Sequence, residues 1–212
     1  LGGLAGDPDP VLAQASKTVK QADSLRRQLG RFVGKDGQVH VNAKVKYPET
    51  DFARRLSGLA ALLDANFPIR TVALTAPGSY DTHADQVGPL QDGAREVAES
   101  LVAFQSDIER RGLGGRVLTL VWSEFGRRAQ QNDSNGTDHG AAGLAFLMGT
   151  KVRDRMVGEF PGLTKGLDRD GNLKATVDFR AVYASLVEQW FDVDAKRILP
   201  DAGKMRRMRL VA

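Results

Sequence analysis

Ile69-Arg70-Thr71-Val72-Ala73-Leu74-Thr75 and Arg116-Val117-Leu118-Thr119-Leu120-Val121-Trp122 are the two stretches on which the fold class turns. Each is a short apolar run rich in β-branched residues, and each reads as a buried strand. Between them Ala94, Val97, Ala98, Leu101, Phe104 and Ile108 recur at helical spacing and stop at Gly112. Strand, long helix, strand is the pattern of a βαβ unit, whose strands run parallel and are joined by a right-handed crossover. A third apolar run, Leu144 to Met148, offers a further strand. The expectation is an α/β fold, a mostly parallel sheet flanked by helices.

Outward from this unit the pattern is helical. Leu12, Ala15, Val19, Ala22, Leu25 and Leu29 form one stripe, with Asp9 as N-cap, Pro10 in the first turn and Gly30 as the stop. Thr50 can cap a second helix with Phe52, Leu56, Leu59, Ala60 and Leu63 on one face. Near the end Phe179, Val182, Tyr183, Leu186, Val187 and Trp190 make a strong helical face that begins near Thr176 or Asp178. Lys35-Asp36-Gly37 lies between two short β-branched runs and reads as a small hairpin or an ordered loop. Residues 1–48 are thus a helical, turn-rich lead-in. The whole of 1–212 reads as a single α/β domain, or as the C-terminal portion of a larger one, because the chain opens Leu-Gly-Gly-Leu without Met.

Composition narrows the function classes. With 212 residues, 42% hydrophobic and 26% charged, the chain can bury one ordinary core. The net charge of +4 owes much to Lys204, Arg206, Arg207 and Arg209, a run that reads as a solvated tail, so no nucleic-acid partner is expected. The absence of cysteine excludes disulfides, zinc–thiolate sites and thiol nucleophiles. No apolar run is long enough to span a membrane. Composition leaves the oligomeric state open.

Ligands of open parallel sheets bind beyond the carboxyl ends of the strands. The first strand runs into Pro77-Gly78-Ser79-Tyr80-Asp81-Thr82-His83, and the second into Ser123-Glu124-Phe125-Gly126-Arg127-Arg128. A crossover would bring these two clusters face to face. A third cluster, Asn135-Gly136-Thr137-Asp138-His139-Gly140, follows in a glycine-flanked loop. Two of the chain's three histidines therefore sit beside an aspartate in these loops. Carboxylate and imidazole donors gathered from loops suit a divalent zinc, manganese or iron ion, although the same pairs also serve as turn formers and caps. Arg127 can clamp an oxyanion or pair with Glu124. Ser79 and Ser123 are possible nucleophiles without the elbow motif that would single one out, so the nucleophile stays unknown. His40 reads as a surface or strand histidine. Asp168-Arg169-Asp170-Gly171-Asn172 resembles a calcium loop but lacks its ligand series and closing Glu, so it reads as a plain turn.

Tyr80-Asp81-Thr82-His83, Ser123-Glu124-Phe125-Gly126-Arg127-Arg128, Asn132 with Gly136-Thr137-Asp138-His139-Gly140, and Asp178-Phe179-Arg180-Ala181-Val182-Tyr183 come in an order that resembles a large bacterial family. It is known as domain of unknown function 1501 and placed with sulfatase-like proteins of the alkaline phosphatase superfamily. The likeness runs from about Tyr47 onward. It implies a doubly wound α/β sheet with a metal site at its carboxyl edge. By that resemblance Asp81 and His83 are ligands from one loop, Glu124 is the counterpart of an acidic ligand, and His139, with Asp138, completes the site. Where the superfamily's hydrolases carry Asp-His, this chain has Glu124-Phe125, and Phe125 cannot ligate. The superfamily's nucleophile and first acidic ligand come from an N-terminal portion that residues 1–68 do not match.

The expected function is accordingly a metal-dependent hydrolase of small phosphate or sulfate esters, incomplete in this chain, with Arg127 as the catalytic cation. The resemblance further implies an exported protein carried by a twin-arginine signal. The alternative is a non-catalytic exported metal-binding or scaffold protein that keeps the fold.

Overall fold

The structure, a computed structural model, describes residues 8–35 and 40–212. Asp36 and Gly37, the tip of the expected small hairpin, lie outside the described residues. Those described divide into one unit that ends at Asn42 and another that runs from Ala43 to Ala212.

The first unit is carried by α1, Pro10–Gly30. Asp9 caps it by accepting from the Val11 N–H at 2.8 Å, and Pro10 fills the first turn, where no N–H is needed. Gly30 is the last helical residue and Arg31 the C-cap. Beyond the helix the His40 N–H donates to the Phe32 carbonyl at 2.7 Å.

In the second unit Thr50 caps α2, Asp51–Asp64, by accepting from the Ala53 N–H. Gly112, at a φ of 72°, supplies the left-handed residue beyond the end of α3, Val87–Arg110. Phe52, Leu56 and Ala60 of α2 pack on Phe104 and Ile108 of α3 and on Leu113 to form the main core. A buried charge locks this pair of helices. Asp107, fully inaccessible, accepts from the Lys44 N–H, the Tyr47 hydroxyl and the Arg111 guanidinium, and Arg111 also reaches Asp64 at 2.7 Å. Burial and the neighbouring Asp107 carboxylate push the Tyr47 hydroxyl well above its ordinary value, so it stays a donor.

Four short strands follow: β1 Thr119–Val121, β2 Gly126–Gln131, β3 Thr137–Gly140 and β4 Phe146–Met148. β1 pairs with β4 antiparallel, with Leu120 opposite Leu147, and the β2–β3 hairpin lies between them in sequence. The helix α4, Phe179–Phe191, is capped by Asp178 and closed by left-handed Asp192. It packs through Ala184 on the short turns at Ala195 and Ala202.

This architecture overturns the expected α/β sheet. The described residues form four helices and two small antiparallel two-stranded sheets, and no parallel pair. Ile69–Thr75 belongs to no strand, with Val72 and Leu74 exposed, and the second run contributes only Thr119–Val121, as β1. The third run does form a strand, but as the antiparallel partner of β1. An apolar, β-branched run becomes a strand only when a neighbour supplies its hydrogen bonds, and period alone does not name the neighbour. The long helix forms as expected, but no crossover results.

Candidate metal centre

The β2–β3 hairpin carries one half of the site. Gly126 lies opposite Gly140, and Arg127 opposite His139. A Cβ at Gly140 would stand 2.5 Å from the Arg127 carbonyl carbon, so the strands approach here only because the residue is glycine. At the tip, Asn132 organises the turn. Its Oδ1 accepts from the Ser134 and Gly136 N–H groups, both at 3.0 Å, and Asn135 takes a φ of 58°.

The loop from Tyr80 to Gln86 carries the other half, and the hairpin holds it by backbone and side-chain ties. Ala84 forms an isolated bridge with Asn135, with the Asp85 N–H on Ser134 and the Gln86 N–H on Asn135. The Asn132 amide donates to the His83 carbonyl at 3.0 Å, and the Thr137 hydroxyl donates to Gln86 Oε1 at 2.9 Å. Arg127 donates to the carbonyls of Thr137 and Tyr80 and comes within 3.8 Å of Asp81. Arg127 ties the second cluster to the first and the Ala84–Asn135 bridge ties in the third, with no crossover between parallel strands to bring them face to face.

What converges is a triangle of donor atoms. Asp81 Oδ1 lies 2.7 Å from His139 Nε2 and 3.1 Å from His83 Nε2, and the two imidazole nitrogens are 3.2 Å apart. Among the described residues these three form the group able to hold a metal ion. Donors about 2.0–2.1 Å from one ion stand roughly 2.8–3.4 Å apart in octahedral or tetrahedral geometry, so the triangle fits one face of either. All three side chains are about half exposed, at 61%, 49% and 46% for Asp81, His83 and His139, so the opposite face is open to solvent.

The remaining expected residues surround the triangle or fall outside it. Asp138 is not in the group of three. It stands 3.6 Å from His83 Nδ1 and accepts from Asn132 at 3.3 Å. A carboxylate on that side favours a proton at Nδ1 and leaves Nε2 free to ligate. Glu124 is exposed and outside the group. Arg127 sits over the Phe125 ring at 5.1 Å, and Phe125 stacks on the His139 imidazole at 3.8 Å and 14°. The residue that cannot ligate thus fixes the plane of one that can. The Ser123 hydroxyl donates to the Phe125 carbonyl at 2.9 Å, and Ser79 is exposed.

Electrostatics favour an ionised carboxylate here. The hydrogen bond from His139 holds the Asp81 carboxyl below its ordinary value, with His83 and Arg127 adding to the effect. Asp138 is lowered too, first by the Asn132 amide and then by His83. Sequence reasoning did not assign roles to Phe125, Asn132, Thr137 or Gln86 as supports. The Asn135-Gly136 pair was the available signal for a tight turn, but nothing local marked the partners of Gln86 or of the Asn132 amide.

A family model described as protein of unknown function (DUF1501) matches residues 9–200. No curated protein and no solved structure matches the chain.

Proposed function

We propose, for a chain that belongs to the DUF1501 family, that Asp81, His83 and His139 bind one divalent metal ion in the service of phosphate or sulfate ester hydrolysis. The observation that carries this reading is the triangle itself: two imidazole nitrogens and one carboxylate oxygen within 3.2 Å of one another, drawn from the 80–86 loop and from strand β3 and open on one side. Zinc and manganese take this donor set, and so does iron. Such an ion supplies Lewis acidity toward an ester oxygen and a more acidic bound nucleophile. The residues of the chain do the rest. Asp138 orients His83, Phe125 orients His139, and Arg127 holds the Tyr80 carbonyl so that Asp81 faces both histidines. The wider likeness to sulfatase-like, exported proteins belongs to the same proposal.

A second reading, a metal-binding scaffold without turnover, is favoured by Phe125, whose stacked ring occupies one flank of His139. Plasma mass spectrometry on the purified protein and on His83→Ala and His139→Ala tests the site. Near-stoichiometric metal lost in both variants is expected, and full occupancy in either variant would refute the ligand set. p-Nitrophenyl phosphate and p-nitrophenyl sulfate, offered to the metal-loaded protein, then separate the readings. Turnover supports the hydrolase, and bound metal without turnover supports the scaffold.

A further inference from the structure

The basic run Lys204–Arg209 reads from sequence as a solvated tail, but it forms one wall of a built cleft. The Met208 N–H donates to Ser185 Oγ, and the Leu210 and Val211 N–H groups donate to Gln189 Oε1. Arg207 forks onto both oxygens of Glu188 at 2.7 Å. Leu210 is buried beneath. The facing walls are Arg155–Glu159 and Thr176, Val177, Asp178, Arg180 and Ala181, and the open cleft has a volume of about 1210 Å³. That exceeds the range of roughly 300–1,000 Å³ typical for small ligands.

Its lining is cationic. Arg155, Arg180, Lys204, Arg206, Arg207 and Arg209 face three carboxylates, Glu159, Asp178 and Asp201. Arg180 is spent on Asp178, Lys204 on Asp201 and Arg207 on Glu188, while Arg155 donates to the Arg209 carbonyl. The guanidinium groups of Arg206 and Arg209 are exposed and have no ion pair among the described residues. Apolar surface lies between the charges. Met156 is 79% exposed, and Val157, Val177, Met205 and Met208 also line the cleft. Methionine-rich surfaces adapt to varied apolar side chains. No aromatic side chain lines the cleft among the described residues, so the stacking platform that single-stranded nucleic acids use is missing there.

We propose that this cleft binds an acidic peptide segment whose carboxylates alternate with apolar side chains. Arg206 and Arg209 pair with the carboxylates, and the methionines receive the apolar groups. Glu159, which has no ion pair among the described residues, lies among the cations and disfavours a continuous phosphate backbone more than spaced carboxylates.

Fluorescence anisotropy with a labelled short peptide of alternating glutamate and leucine tests this on the whole chain. Saturable, salt-weakened binding is expected. It should fall at least about tenfold in the Arg206→Gln/Arg209→Gln double variant and in Met156→Glu, with thermal melts unchanged because these side chains are exposed. It should persist in His83→Ala, which keeps the cleft independent of the metal centre. Absence of saturable binding would overturn the proposal. So would equal affinity for the glutamine-for-glutamate peptide, tighter binding of oligothymidylate, or full binding by the double variant.

Discussion

Replacing Gly140 with alanine puts a methyl group where the β2–β3 hairpin has no room, one residue from His139. The new Cβ would stand 2.5 Å from the Arg127 carbonyl carbon, 2.6 Å from its oxygen and 2.8 Å from the Arg128 nitrogen. These are all backbone atoms, so no side chain can swing aside. Ordinary contact begins near 3.4 Å, which obliges the strands to part by about 0.9 Å. The adjacent His139 Nε2 sits 2.7 Å from Asp81 Oδ1, and metal–donor distances tolerate only about ±0.2 Å. A displacement several times that tolerance takes His139 out of the coordination sphere, and metal affinity should fall about 100-fold, or about 2.8 kcal/mol. Isothermal titration of Mn²⁺ or Zn²⁺ reads the effect, with circular dichroism to confirm the fold. Gly58→Ala is the control, because a Cβ there meets nothing within 4 Å. That variant should bind metal normally and gain about 0.5–1 kcal/mol as helix. If folded Gly140→Ala bound metal within about threefold of the parent, the hairpin would not be what places His139.

Further outcomes follow from other contacts. Phe125→Ala removes the ring that fixes the His139 plane and should weaken metal binding about tenfold with little change in melting temperature, measured by the same titration. Asp107→Ala takes from the Arg111 guanidinium, 3% exposed, its fully buried carboxylate partner, leaves the Tyr47 hydroxyl and the Lys44 N–H without that acceptor, and should cost about 3–5 kcal/mol in urea unfolding. Arg207 holds the Glu188 carboxyl below its ordinary 4.5 in the folded chain. The pair therefore contributes stability above that pH, and the contribution is lost as pH falls through the lower folded value. Arg207→Gln should raise the Glu188 midpoint in an NMR titration and flatten this acid-side loss; an unmoved midpoint would break the assignment.

Helices and caps were legible because their determinants are local. Asp9, Thr50 and Asp178 each accept from a backbone N–H within three residues, as their positions before apolar stripes imply. The sheet was not legible, because a strand's identity lies in its partner. Ile69–Thr75 and Thr119–Val121 look alike in sequence, yet β4 pairs with the second, while the first belongs to no strand. The candidate site falls between these cases. Asp81, His83 and His139 carried their donor chemistry in their side chains, whereas the bridge from Ala84 to Asn135 that unites them had no sequence signal. Glu124 follows β1 in sequence, yet it lies outside the group of three donors. The basic C-terminal run misled for a similar reason: Gln189 and Ser185, which tether it, lie about twenty residues away.

The ties from the hairpin to the 80–86 loop bear on the order in which the molecule assembles. Arg127 to Tyr80, Asn132 to His83 and Thr137 to Gln86 span 47, 49 and 51 residues. The intervening chain includes the 24 residues of α3, a rod about 36 Å long. Helix formation is fast and local, while closing so long a span costs entropy that is recovered only when these contacts form together. The donor triangle should therefore form late in folding and open, in the native state, before the α2–α3 core does. Amide hydrogens of Asp85 and Gln86 should accordingly exchange sooner than those of Phe104 and Ile108, which would put the candidate metal centre on a less protected part of its unit than the α2–α3 core.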